Sequence, residues 1–213
     1  MTFYDLAKRT VDVCFSFILL IFFFPVIIIV AIAIKVESDG TVFADTPERV
    51  GQKGKKFKMY KFRSMVKNAH NILREDPKYK ELYDQYKRGS YKLKDDPRVT
   101  KVGRFIRKYS LDELPQFINV VRGEMSIVGP RAYYPDELAN QQKKYPHTKS
   151  AVRIVLSVKP GITGFWQVTG RSQINFDKRI QMDANYAKRR SINYDLLLIL
   201  KTPWAMISGR GAL

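Results

Sequence analysis

Cysteine is almost missing from this chain. The single residue, Cys14, lies in an apolar run, so no intrachain disulfide can form and nothing points to an oxidising compartment. Histidine is nearly as scarce, and His70 and His147 with one cysteine offer no zinc-type ligand set. Acidic residues are few against basic ones, 20 to 38, which leaves a formal net charge of +18. Such a balance predicts attraction to polyanions: nucleic acid, anionic head groups or phosphorylated small substrates. No internal repeat and no low-complexity tract is present. The 213 residues suffice for one compact domain plus one special segment.

That segment is the charge-free run from Val13 to Ile34, about 22 residues. As a helix it would be roughly 33 Å long, which matches the hydrocarbon thickness of a bilayer. The run exceeds the usual apolar region of a secretory signal and is followed by a basic domain without a disulfide framework. Pro25 falls inside it, where it removes the hydrogen bond to the Ile21 carbonyl and kinks the helix into halves of roughly 18 and 13 Å. Lys8 and Arg9 precede the run and Lys35 follows it, so the flanks do not decide between a spanning and a re-entrant segment. The four-residue spacings Asp5–Arg9 and Lys8–Asp12 suggest local pairs.

Further along, Thr41–Ala44 and Phe57–Met65 read as strands around a turn over 47–54. Residues 66–94 are polar and read as surface helices broken near Pro77 and Gly89. Thr100 opens a helix through Val102, Phe105 and Ile106, with Arg104 and Arg107 toward its polar side. Pro135–Tyr145 reads as a surface helix, Ser157–Arg171 as a turn and strand, and Phe176–Arg190 as a helix. Tyr194–Ile207 suits either a membrane surface or the core.

Chemistry concentrates in Ser110-Leu111-Asp112-Glu113-Leu114-Pro115-Gln116, where adjacent carboxylates stand among Arg104, Arg107, Lys108, Arg122 and Arg131. Carboxylates so surrounded stay ionised. An ionised Asp can attack phosphorus, and a second carboxylate can hold a hard divalent cation that also grips phosphate oxygens. The plainer alternative is a capping box, Ser110 with Glu113, or Asp112 as the cap ahead of Pro115.

In combination, Pro47-Glu48-Arg49-Val50-Gly51-Gln52, Tyr60-Lys61-Phe62-Arg63-Ser64-Met65, the Ser110–Gln116 stretch, Met125-Ser126-Ile127-Val128-Gly129-Pro130-Arg131 and Lys159-Pro160-Gly161-Ile162-Thr163-Gly164 resemble the bacterial sugar transferase family. These are the monotopic phosphoglycosyl transferases. The resemblance covers nearly the whole chain, in the minimal catalytic form. It implies transfer of sugar 1-phosphate from a UDP-sugar, such as UDP-glucose or UDP-galactose, to a polyprenyl phosphate such as undecaprenyl phosphate, with release of UMP. By the same resemblance Asp112 is the nucleophile and Glu113 a ligand of Mg2+. Lys61, Arg107 and Arg131 are associated with substrate phosphates, and Arg63 is added to that set. The family's broken first helix favours a re-entrant segment on the cytoplasmic face of a bacterial inner membrane. Phe24 stands where a Ser is common before the proline, and Ala132 where a Pro is common after Arg131.

The expected class is therefore α+β: mostly helical with a small β element. Residues 1–36 form a Pro-kinked, membrane-embedded helix, and residues 37–213 a catalytic domain with amphipathic interfacial helices. Membrane lipid is an expected partner, nucleic acid is not, and self-association is left open. The competing hypothesis is a non-catalytic, membrane-tethered basic module that binds nucleic acid or anionic lipid through charge alone.

Overall fold

The computed structural model describes residues 3–88, 91, 93, 95–170 and 174–207. Helix α1 (Phe3–Phe22) and helix α2 (Phe24–Glu37) are bent 61° apart at Phe23. The break follows from Pro25, which has no N–H to donate and sits in the first turn of α2, where that donor is not needed. The hydroxyl missing at Phe24 is not required, since Phe23 N bonds Leu19 O at 2.9 Å and Ile27 N bonds Phe23 O at 2.8 Å on either side. No single described helix is long and apolar enough to cross a membrane, whereas the bent pair together is. Its outer face carries Phe17, Ile21, Phe22, Phe24, Ile29 and Ile32, all exposed.

The inner face of α1 is polar and docked. Asp12 is 5% exposed and accepts hydrogen bonds from Ser126 Oγ at 2.7 Å and from Ile127 N at 3.2 Å. Lys8 reaches Asp12 at 3.7 Å, but its short contact is Asp195 at 2.7 Å. Arg9 donates to the Val120 and Val121 carbonyls, and Asp5 pairs with Arg190. Lys8 thus keeps its expected four-residue pair with Asp12 and adds a shorter one to Asp195, and with Arg9 it ties α1 to elements more than a hundred residues away.

Strands are fewer than the alternation suggests. Strands β1 (Arg49–Val50) and β2 (Lys56–Phe57) pair antiparallel, but Thr41–Ala44 and most of Phe57–Met65 do not form a ladder. The latter is an extended thread whose backbone bonds go to different partners in turn: Ala44 N to Lys61 O, Phe62 N to Asp112 O, Arg63 N to Val42 O and Val66 N to Arg98 O. Residues 69–88 form helix α3 (Ala69–Glu75) and helix α4 (Lys80–Arg88), separated at Pro77 as expected. Helix α5 (Lys101–Lys108) starts at Thr100, whose Oγ1 accepts from Gly103 N at 2.9 Å. Phe105 points outward at 58% exposure, so only Val102 and Ile106 serve the core.

Helix α6 (Gln116–Arg122) leads into strand β3 (Ser126–Val128), followed by helix α7 (Pro135–Lys144) and helix α8 (Lys149–Val155). Strand β4 (Gly161–Thr163) pairs parallel with β3. Glycine is required there, since a Cβ on Gly161 would lie 2.0 Å from Gly129 N. After β4 the chain turns into helix α9 (Phe165–Thr169) instead of continuing extended, then forms helix α10 (Phe176–Arg189) and helix α11 (Ile192–Ile207). Helix α11 packs Leu198 into the core at 1% exposure and leaves Leu200 and Trp204 exposed at 77% and 76%. Three buried clusters result, one beneath β3 and α11, one between α8 and α10, and one formed by Val30, Ile34, Phe62 and Ile106. The last makes α2 part of the body.

Candidate active site

The third cluster is the floor of a charged site. Phe62, 1% exposed, anchors the thread, and its N–H donates to the Asp112 carbonyl at 2.9 Å. Asn119 on α6 fixes the same thread one turn away, accepting from Tyr60 N at 2.9 Å and donating to Lys58 O at 2.8 Å. Lys61, held between these points, places Nζ 2.8 Å from Asp112 Oδ2 and 3.6 Å from Glu113 Oε1. Burial would pull the Lys61 ammonium below its ordinary value. The Asp112 and Glu113 carboxylates outweigh burial and the nearby Arg107 charge, so Lys61 is raised and stays charged.

Neither capping reading holds. Ser110 is left-handed, with φ of 55°, and makes no side-chain cap bond. Asp112 lies in a 3-10 turn, Leu111–Glu113, with its carboxylate turned to Lys61, and α6 begins only after Pro115. The left-handed residue is what turns the chain back after α5, bringing the carboxylates under the thread. Asp112 is 2% exposed, deeper than an open helix start would place it, while the Glu113 side chain is 39% exposed.

The predicted site residues divide into three places. Lys61, Asp112 and Glu113 come together, with Arg107 near enough to press on Lys61 and forming no ion pair with a described residue. Arg63 is turned elsewhere, donating to the Ser38 carbonyl at 2.8 Å and to the Asp39 carbonyl, at the end of α2. Arg131 belongs to a second charged group between α7, α9 and α10. Its Nε lies 3.9 Å from Glu137, its guanidinium 5.6 Å from the Trp166 ring, and its N–H donates to Asp183 at 3.1 Å. Arg179, 1% exposed, closes this group with a 3.2 Å pair to Glu137. Burial pushes the Asp183 carboxyl up to about 7, against the Arg131 N–H and the Arg179 and Arg131 charges.

Sequence reasoning missed Glu137, Arg179 and Asp183. The signal was present in α10, where Arg179 and Asp183 recur at four-residue spacing inside the buried stripe Phe176, Ile180, Ala184 and Ala187.

Among the described residues no three His, Cys, Asp or Glu side chains gather to hold a metal unaided. Magnesium does not need that, because it binds through one or two carboxylates together with substrate phosphates and water. An accessible Glu113 beside Asp112 fits that demand.

The comparisons agree with the motif reading. The family profile described as bacterial sugar transferase matches residues 3–209. The exopolysaccharide production protein ExoY of Sinorhizobium fredii is 39% identical over 97% of this chain and 88% of its own length. The undecaprenyl-phosphate galactose phosphotransferase of Salmonella typhimurium is 42% identical over 96% of this chain and 41% of its own length. For the UDP-glucose:undecaprenyl-phosphate glucose-1-phosphate transferase of Escherichia coli the figures are 37%, 92% and 39%. The chain thus spans most of the first relative and less than half of the other two. With the profile matched almost end to end, the chain belongs to the bacterial sugar transferase family.

Proposed function

We propose that this protein is a phosphoglycosyl transferase that moves sugar 1-phosphate from a UDP-hexose to a polyprenyl phosphate through a phosphosugar ester on Asp112. The observation that carries the reading is the buried Asp112 carboxylate paired to Lys61 at 2.8 Å, with Glu113 and Arg107 beside it. Family membership supplies the reaction class. The relatives' printed names support undecaprenyl phosphate as acceptor and glucose or galactose as the sugar. The rhizobial relative's name supports a role in exopolysaccharide production.

In the first step an Asp112 Oδ atom attacks the phosphorus that carries the sugar. A new P–O bond forms, the bond from that phosphorus to the bridging oxygen breaks, and UMP leaves with the electron pair. In the second step a phosphate oxygen of the acceptor attacks the same phosphorus and returns Asp112 as a free carboxylate. Lys61 has a part in both. It covers Asp112 at rest, and incoming phosphate oxygens offer its ammonium a competing partner, which uncovers the nucleophile. Arg107 adds charge where the diphosphate accumulates, and Glu113 would hold Mg2+. When bound, that ion neutralises phosphate charge and the leaving UMP. The two-step route also means that a soluble donor and a lipid acceptor need never occupy the site together.

The bent α1–α2 pair and its exposed apolar face support membrane association, and the family resemblance supports re-entrant insertion from the cytoplasmic side of a bacterial inner membrane, which keeps the polyprenyl tail in lipid. The test is UMP release by the purified full chain with Mg2+, undecaprenyl phosphate, and UDP-glucose or UDP-galactose. Turnover with one of the two, lost roughly 10³-fold in Asp112→Asn, is expected. Turnover that survives the substitution removes the mechanism.

A further inference from the structure

Arg63 has a task other than the phosphate contact expected of it. Its guanidinium, 6% exposed, closes on the Ser38 and Asp39 carbonyls just past the end of α2. Gly40, with φ of +115°, makes room, since a Cβ there would come within 2.6 Å of Arg63 Nη1. Glu37, the last residue of α2, makes the complementary contact: its Oε1 accepts from Val102 N at 2.9 Å, in the first turn of α5. These contacts converge on the site from two sides. Arg63 lies two residues after Lys61, and between them Phe62 packs on Val30 and Ile34 of α2 while its N–H holds the Asp112 carbonyl. Helix α5 packs Ile106 into the same cluster, and the next residue is Arg107.

We propose that Arg63 and Glu37 are positioning residues that lock the end of α2 to the thread bearing Lys61 and to the helix bearing Arg107, so that the seat of α2 sets the geometry of adduct formation. The proposal rests on the functional reading above. A misplacement of about 1 Å in such a site can cost on the order of 10²-fold in rate, so two hydrogen-bonded latches on one helix end are enough to matter.

The experiment uses the full chain in phospholipid nanodiscs. β-32P-labelled UDP-glucose or UDP-galactose is added without lipid acceptor, and both the rate constant and the amplitude of labelling are measured. The first gives rate per active molecule, the second the active fraction. Arg63→Ala should slow labelling roughly tenfold and Glu37→Ala roughly threefold, with amplitude and donor KM near wild type, and Arg63→Lys and Glu37→Gln should recover most of the rate. Loss confined to amplitude means a merely structural role and overturns the proposal. A raised donor KM at unchanged rate constant means direct donor contact and also overturns it. Should Arg63→Ala not fold, Glu37→Ala decides by the same criteria.

A second readout needs no turnover. Hydrogen exchange at the Phe62 amide should accelerate roughly tenfold in Arg63→Ala and stay near wild type in Arg63→Lys. Unchanged exchange in Arg63→Ala contradicts the latch. A wild-type chain that never labels sinks the functional reading instead, and the exchange result then judges the latch alone.

Discussion

Lys61 Nζ lies 2.8 Å from Asp112 Oδ2, with the lysine side chain 24% exposed and the aspartate side chain 3%. The lysine side chain is thus the more open member of the pair, and the carboxylate is almost wholly out of water. Removing the lysine alone leaves an unpaired charge inside, whereas removing both charges does not. Lys61→Met should therefore lower stability by roughly 1–3 kcal/mol, and the double variant Lys61→Met with Asp112→Asn should recover much of that loss while staying inactive. Thermal midpoints of the four proteins of this cycle check it, and strict additivity of the two single effects would speak against a direct pair.

Glu113 differs from its neighbour in being partly open, at 39% side-chain exposure. Glu113→Gln should leave the thermal midpoint nearly unchanged and raise the Mg2+ concentration needed for half-maximal UMP release by roughly tenfold or more. A magnesium titration that superimposes on the wild type would remove Glu113 from the metal site.

The bent N-terminal pair behaves as part of the body and not as a detachable anchor. Asp12, Lys8 and Arg9 bind three different later elements, and Val30 and Ile34 floor the site. Asp12→Ala, which strips the buried Ile127 N–H of its acceptor, should cost roughly 1–3 kcal/mol, measured as a drop in thermal midpoint in detergent. Residues 38–213 expressed alone should fail to give a cooperative unfolding transition. A folded, monodisperse fragment would show that the helices are dispensable to the fold.

Asp183 makes stability depend on pH. Its carboxyl is raised from 3.8 to about 7 by burial, so the native state holds its proton where the unfolded chain has lost it. The contribution is full below the unfolded value and fades as pH rises through about 7. His70 acts in the other direction, its imidazole lowered by burial from 6.5 to about 4, so its contribution is lost only as pH falls below 6.5. Between pH 6.5 and 8 the thermal midpoint should fall, and Asp183→Asn should flatten that slope. An equal slope in the variant would mean that another group titrates.

What could be read in the sequence was what is local. The acidic pair, the lysine of the Tyr60–Met65 thread, the Thr100 cap, the Pro25 break and the Pro77 interruption are each set by a few neighbouring residues. The destination of a side chain was not local. The family resemblance sets Arg63 with Lys61 as a phosphate contact, yet its hydrogen bonds go to the end of α2. Lys8 was matched with Asp12 by helical spacing, yet its shorter pair is with Asp195, 187 residues on. Strand alternation in Phe57–Met65 holds as burial only at Phe57, Lys58 and Met59, since Phe62, Arg63 and Ser64 are buried in succession, and beyond Phe57 it makes no ladder because the thread's backbone groups are divided among several partners. Glu137 lies in a helix that reads as a surface element from its charge, while Arg179 and Asp183 lie in a helix whose spacing is legible but whose buried polar partners are not.

The central claim is that a phosphosugar resides on Asp112 between the two half-reactions. Full-length protein incubated with Mg2+ and UDP-glucose or UDP-galactose, without lipid acceptor, then denatured, digested and analysed by mass spectrometry, tests it most directly. The account predicts a hexose phosphate on the peptide containing Asp112, discharged when undecaprenyl phosphate is supplied. An unmodified Asp112 peptide in a preparation that releases UMP at full rate once lipid acceptor is supplied, or the label on another residue, would contradict it.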